Sequence, residues 1–314
     1  MLAAVLGLSS FAAWTGSGRS DDVAAQEAGG PTVAVLAGLA VDGSPARPSL
    51  SARAVYQGGA VFVSVPAATS GSVAMLGRTA PLLDRGNGTL VAIFGIGTVD
   101  PPGATPLTVE IIDRWGEAAR FVVTVEILPT QWTVDYIILP PGVGGGLTPE
   151  IVKAEEDRLR DIYSGVTAVR WGGTWVAPAD LAVFPISGYF GEQRSFNGGP
   201  VSGHHGGTDI GSRDGGPSID GAAAGATNAG VVVLAEKMAV RGNMVIIDHG
   251  GGVFSGYAHL QELAVVAGQV VGKGDVLGYV GTTGLSTGPH LHWELAVGGV
   301  LVDGLRWLDG TQGF

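Results

Sequence analysis

Pro289-His290-Leu291-His292-Trp293-Glu294-Leu295 alternates polar with apolar side chains between β-favouring neighbours, and so predicts a strand. Successive side chains of a strand point to opposite faces. His290, His292 and Glu294 therefore share one face, and Leu291 and Trp293 the other. The two histidines then lie roughly 7 Å apart at Cα, so one can bind a metal while the other addresses what the metal holds. Well upstream, His205-Gly206-Gly207-Thr208-Asp209 offers a second cluster. In a straight strand His205 and Asp209 would be roughly 13 Å apart; the glycine pair permits a sharp bend that lets them converge. Two imidazole nitrogens and one carboxylate oxygen suit zinc, and three protein ligands leave a fourth position open, as in catalytic rather than structural sites. The chain has only six histidines, and all of them, His204, His205, His249, His259, His290 and His292, fall within residues 204–292. Histidine is the commonest metal ligand and the usual acid or base near neutral pH.

Composition narrows the function classes. A chain of 314 residues suits about two domains. With 46% hydrophobic and 14% charged residues it is globular rather than disordered. Its 54 glycines, dense from residue 183 onward, imply tight turns between short strands, so the C-terminal region reads as all-β. A formal charge of −11 and the lack of any basic cluster argue against a nucleic-acid partner. With no cysteine, disulfides, thiolate zinc sites and cysteine nucleophiles are all excluded.

Residues 1–30 read as an N-terminal export signal followed by a polar linker. The apolar run Leu2 to Trp14 is too short to span a bilayer and fits the apolar core of a secretory signal, although no Lys or Arg precedes it. No other stretch is apolar enough to cross a membrane. Residues 31–128 read as strands between turns, at Thr32–Ala40, Ala60–Val65, Thr89–Phe94, Leu107–Ile112 and Phe121–Leu128, the last two joined by a hairpin turn at Asp113–Glu117. This pattern predicts an immunoglobulin-like β-sandwich without chemistry of its own, a spacer or interaction module. Residues 129–182 form a linker, with a Pro/Gly hinge at 140–146 and a helix at 149–163. Thr148 is its N-cap, Pro149 its first residue, and Ser164-Gly165 its stop. Ile151, Ala154, Leu159 and Ile162 make its apolar stripe, and Glu155-Glu156-Asp157-Arg158 its solvated face.

The motifs of residues 183–314 carry a resemblance. His205-Gly206-Gly207-Thr208-Asp209 is similar to the His-x-Gly-x-Asp signature of the lysostaphin-type (LytM-like) zinc endopeptidases that cut peptidoglycan. Gly281-Thr282-Thr283-Gly284-Leu285-Ser286-Thr287-Gly288-Pro289-His290-Leu291-His292 resembles their second signature. Between and around these, Gly188-Tyr189-Phe190-Gly191, Asp248-His249-Gly250-Gly251-Gly252, Tyr257-Ala258-His259-Leu260 and Val270-Val271-Gly272-Lys273-Gly274-Asp275 follow the family's order over about residues 183–309. The resemblance implies a C-terminal antiparallel β peptidase domain. It also implies zinc held by His205, Asp209 and His292, with His290 and His259 flanking the reacting water. On this reading His290 is the general base, and His259 orients the water or donates to the oxyanion. The implied substrates are peptidoglycan stem or bridge peptides, cut outside the cytoplasm.

Blander readings attach to several neighbours. His204 breaks the motif spacing and reads as a loop residue, and His249 as structural. Trp293 reads as core, while Glu294 is either a support for the histidines or a rim carboxylate. Asn197 resembles the asparagine with which latent relatives fill the fourth zinc position, but it lies inside the catalytic region and reads as structural. The sequence departs from the family at 214–222, a longer and looser segment beside Asp209, and at Gly304, where proline is common. Two other functions compete: a non-catalytic wall-peptide binder or activator of another hydrolase, and a zinc peptidase acting on protein. All five site positions are intact, which disfavours the binder.

Overall fold

The computed structural model describes residues 47–212 and 216–308. The expected signal at Leu2 to Trp14, the strand expected at Thr32–Ala40 and part of the 214–222 segment lie outside the described residues. The chain is mainly β, with one α-helix among the described residues.

Residues 49–128 form two sheets around one core. One runs Ser49–Leu50, Ala60–Pro66, Thr89–Gly95, Leu83–Asp84; the other runs Ala54–Tyr56, Ala118–Leu128, Gly103–Asp113, Ala68–Met75, Arg78–Pro81. Alternation explains the packing. Leu107, Val109 and Ile111, paired in the hairpin with the strand that contributes Val125 and Ile127, point inward against Val61, Val63 and Val65 of the facing sheet. The expected turn forms, with Asp113 Oδ1 accepting the backbone N–H of Trp115 at 2.8 Å and of Glu117 at 2.9 Å.

The C-terminal unit is built on one sheet whose path runs Ile186–Gly188, Thr208–Ile210, Leu291–Val297, Val253–Leu263, Gly242–Gly250, Gly230–Met238, Val270–Val271. Ala223–Gly225, Val276–Val280 and Val300–Val302 branch from it. A small second sheet is seeded from upstream: Val134–Ile137 pairs in parallel with Gln193–Phe196, which pairs with Ser202–His204. The two units share an apolar seam, where Phe62 and Ile93 meet Trp171, Trp175, Trp307 and Val297. Phe62 and Trp307 lie 5.4 Å apart between ring centroids, and Trp175 and Trp307 5.1 Å. Gly95 permits this approach, because a Cβ there would sit 2.9 Å from the Val297 carbonyl oxygen.

The helix spans Pro149–Tyr163 with the expected Thr148 cap, and of the expected stripe Leu159 is buried and Ile162 half-buried, but the buried face is turned away from Ile151 and Ala154. Val152, Glu155, Leu159 and Tyr163 point inward, against Leu234, Met244, Ile246 and Phe254, while Ile151 is 41% exposed and Ala154 is exposed. Glu155, expected in solvent, is buried because partners for its carboxylate wait inside, as described below.

His249 is fully buried in the same unit, its Nδ1 2.8 Å from the Ala229 carbonyl and its Nε2 2.7 Å from Ser255 Oγ. Its role is structural, as expected. Burial pulls its imidazole down to about 4. Below about pH 6.5 the unfolded chain takes up a proton that the folded chain refuses until about pH 4. Stability is therefore lost as pH falls through that window, by up to about 3 kcal/mol from this residue. Thermal melts of zinc-free protein across this range should fall less steeply for His249→Gln than for wild type. Parallel slopes would count against a neutral buried His249.

Candidate metal centre

Register brings the distant motifs together. Thr208–Ile210 pairs antiparallel with Leu291–Val297 so that Asp209 faces His292 directly, and on the other side of that strand Ala258 faces His292. Directly opposed residues have Cβ atoms about 4.5–5.5 Å apart, within reach of a carboxylate and an imidazole. His205 enters over the glycine pair. A Cβ at Gly207 would lie 2.4 Å from the Trp293 carbonyl oxygen and 2.9 Å from His292 Cε1, so only glycine allows this bend.

Three atoms converge. His292 Nδ1 is 2.7 Å from Asp209 Oδ1, His205 Nε2 is 3.1 Å from His292 Nδ1, and His205 Nε2 is 3.1 Å from Asp209 Oδ1. The outer ring nitrogens are committed elsewhere, His205 Nδ1 to the Tyr189 carbonyl at 2.9 Å and His292 Nε2 to Glu294 Oε1 at 3.1 Å. Assigning the ring protons to those outer nitrogens, which face acceptors, leaves only lone pairs on the inner atoms. Three acceptors this close repel one another unless a cation or a proton sits among them. Tetrahedral zinc at its usual bond lengths would set such atoms about 3.3 Å apart, so the donor set fits this ion with a small expansion.

Electrostatics agree. Burial would raise the Asp209 carboxyl, but the surrounding histidines outweigh it and hold the group well below the usual carboxylate range. Arg194 donates to its second oxygen at 3.0 Å. Burial, with Arg194 nearby, pulls His205 down to about 4. Burial also acts on His292, but hydrogen bonds to Asp209 and Glu294 prevail and raise it, a proton answering the same demand as a cation.

His290 and His259 stand beside this triangle. Their rings lie 4.7 Å apart between centroids, and His290 Nε2 is 3.8 Å from Asp209 Oδ1. Both hold Nδ1 against a carbonyl, Gly288 at 2.9 Å for His290 and Thr283 at 2.8 Å for His259, so each offers Nε2 as a free base. Burial lowers both imidazoles, His259 further because His290 is next to it. The five expected site residues thus meet at the floor of one cavity of about 840 Å³. Its walls include Phe190 and Arg194, helix residues Leu159 and Arg160, residues 135–139, and Arg78 and Val99 of the N-terminal two-sheet region.

The remaining assignments separate cleanly. His204 lies at the end of a short strand with Nδ1 2.8 Å from the Gly191 carbonyl, outside the triangle. Asn197 has φ +52° and accepts the Leu139 N–H at 2.8 Å, a structural part. Trp293 is core. Glu294 is fully buried and supports His292; it is no rim carboxylate. Arg194, Arg241 and Tyr163 went unread in the sequence, and Glu155 was read as part of the helix's solvated face. The only local signal for Glu155 is its place among Val152, Leu159 and Tyr163 at helical spacing.

Residues 203–304 match Peptidase family M23, which bears out the resemblance read from the motifs. Among similar proteins, peptidoglycan DD-endopeptidase ShyA of Vibrio cholerae is 43% identical over 77 residues, 24% of this chain and 18% of the relative. Peptidoglycan DD-endopeptidase ShyB of the same organism is 33% identical over 132 residues, 41% of this chain and 29% of the relative. The chain therefore matches less than a third of either relative's length. In fold it is similar to a Pseudomonas aeruginosa crystal structure assigned to peptidase M23, with TM-score 0.53 and 22% identity over 81% of this chain and 95% of that one.

Proposed function

We propose that this chain, which carries a peptidase family M23 domain at residues 203–304, is an exported zinc-dependent endopeptidase acting on peptidoglycan cross-links or bridges. The observation that carries the reading is the triangle of lone pairs from His205, Asp209 and His292, with two neutral imidazoles facing the same space. Relatives named peptidoglycan DD-endopeptidases support the substrate class. That substrate lies outside the cytoplasmic membrane, hence the proposed export. No helix among the described residues is long and apolar enough to cross a membrane.

In this reading His205 Nε2, Asp209 Oδ1 and His292 Nδ1 hold the zinc. When bound, zinc supplies Lewis acidity, which polarises the scissile carbonyl and acidifies water. His290 takes the proton of the attacking water at Nε2, a task that needs a neutral imidazole at working pH. His259, on the other side, orients that water by accepting a hydrogen bond from it at Nε2, or stands beside the oxyanion. Arg194 keeps the second oxygen of Asp209 occupied, leaving the first for the metal. We read the two-sheet region within 31–128 as immunoglobulin-like, residues 129–182 as the linker, and 183–314 as the peptidase domain. Through its apolar seam the sandwich fixes the far wall of the groove.

The test is release of new amino groups from isolated peptidoglycan by the purified chain. Release should stop with chelator and return with zinc, and mass spectrometry of the fragments would name the bond. A folded, zinc-loaded protein that releases nothing from several wall types would overturn the catalytic reading in favour of a binding role.

A further inference from the structure

The Pro149–Tyr163 helix delivers two polar groups to the back of the site. Glu155, 5% exposed, spends both oxygens on the turn that follows Gly230–Met238. Oε2 accepts the Val240 N–H at 2.7 Å, and Oε1 accepts the Arg241 N–H at 3.0 Å and its guanidinium at 3.3 Å. Tyr163 donates its hydroxyl to Glu294 Oε2 at 2.6 Å.

The turn held by Glu155 leads to the site by three routes. Arg241 Nε donates to Glu294 Oε1 at 2.9 Å, the same oxygen that accepts from His292 Nε2. The Arg241 carbonyl accepts the His259 N–H at 2.9 Å. The Val240 carbonyl accepts the Leu285 N–H at 2.7 Å, anchoring the loop whose Thr283 carbonyl meets His259 Nδ1. His259 needs such anchoring because its φ is +62°, in the left-handed region where a non-glycine residue is strained by about 1–3 kcal/mol. Strain of this kind persists only where the surroundings over-determine it. A fully buried Glu294 is likewise tolerable only with its donors in place.

We propose that the helix is a working part of the metal centre, with Glu155 a positioning residue that sets His292 through Arg241 and Glu294, and His259 through the turn at 240–241. Tyr163 is its auxiliary, fixing the second oxygen of Glu294. The inference rests on the zinc reading above. Groups that orient a metal-binding histidine from behind typically carry about 10- to 100-fold in metal affinity.

The test uses the full chain, with zinc affinity read by competition against a chromophoric chelator and stability by thermal melts in excess chelator. Glu155→Gln keeps size but turns a donor toward an N–H of the 240–241 turn. It should weaken zinc about 10- to 100-fold and lower kcat with little change in KM. Tyr163→Phe removes only a hydroxyl and should weaken zinc about threefold to tenfold. Leu234→Ala, a core cavity beside the helix without a link to the network, should lower Tm and leave zinc affinity within about twofold. Unchanged zinc affinity in Glu155→Gln would overturn the inference, as would equal weakening in Leu234→Ala at equal loss of Tm. If Glu155→Gln does not fold, unchanged affinity in Tyr163→Phe overturns it alone. Wild-type protein that takes up no zinc overturns the proposed function along with this inference. Wild-type uptake with an unaffected Glu155→Gln overturns only this one.

Discussion

Replacing His292 by alanine is expected to abolish stoichiometric zinc uptake and to lower peptide cleavage by at least about a thousandfold, several kcal/mol of barrier. Both nitrogens of its ring have partners. Its Nδ1 is 2.7 Å from Asp209 Oδ1 and 3.1 Å from His205 Nε2, while its Nε2 reaches Glu294. Without the ring, two donors remain of three, and Glu294 keeps Arg241 and Tyr163 but faces an empty space on its third side. The backbone has little reason to move, since residue 292 stays paired with Asp209 on one flank and Ala258 on the other. Elemental analysis of the purified variant, with circular dichroism to confirm the fold, decides the matter. One zinc per folded chain in His292→Ala would remove this residue from the ligand set and with it the triangle argued above.

Four of the five site residues were legible because each sits in a short motif whose spacing has a physical reason, side-chain alternation at 290–292 and a glycine bend at 206–207, whereas His259 came only with the family resemblance. The hairpin at 103–128 was legible for the same kind of reason, apolar side chains recurring every second residue around a turn. What stands behind the site was not. Glu155 lies 139 residues before Glu294 (294 − 155) and meets it only through Arg241, a pairing that no local pattern encodes. In isolation, a glutamate in a Glu-Glu-Asp-Arg run belongs in water, because burying an unpaired charge is costly. It is buried here because a guanidinium and two amides replace the water. The strand at Val134–Ile137 was missed for a related reason. It is an edge strand whose partner, Gln193–Phe196, lies beyond the helix, and its side chains are mostly half exposed, so alternation is weak.

Substituting alanine for His290 should separate catalysis from metal binding: zinc stays bound while kcat falls by about 100- to 10,000-fold, the usual range for a general base. His290 points Nε2 toward the site from a ring whose Nδ1 is held by Gly288, and it stands 3.8 Å from Asp209 Oδ1, outside the triangle. Burial lowers its imidazole from the ordinary value near 6.5. A group so lowered is already neutral at pH 7, so the wild-type kcat should be level through neutrality and decline only below about pH 6.5. His259→Ala should likewise keep zinc and lose rate. The residual activity of the two variants should differ in pH dependence. Burial first, and then the proximity of His290, depress His259. Taking His290 away lifts the second of these while the burial stays, so His259 itself should take up its proton at a higher pH in His290→Ala than in wild type, yet still below the ordinary value near 6.5. Loss of zinc from His290→Ala would make it a ligand and move the base elsewhere. A wild-type rate unchanged down to about pH 4 would mean that no free imidazole takes part in the rate-limiting step.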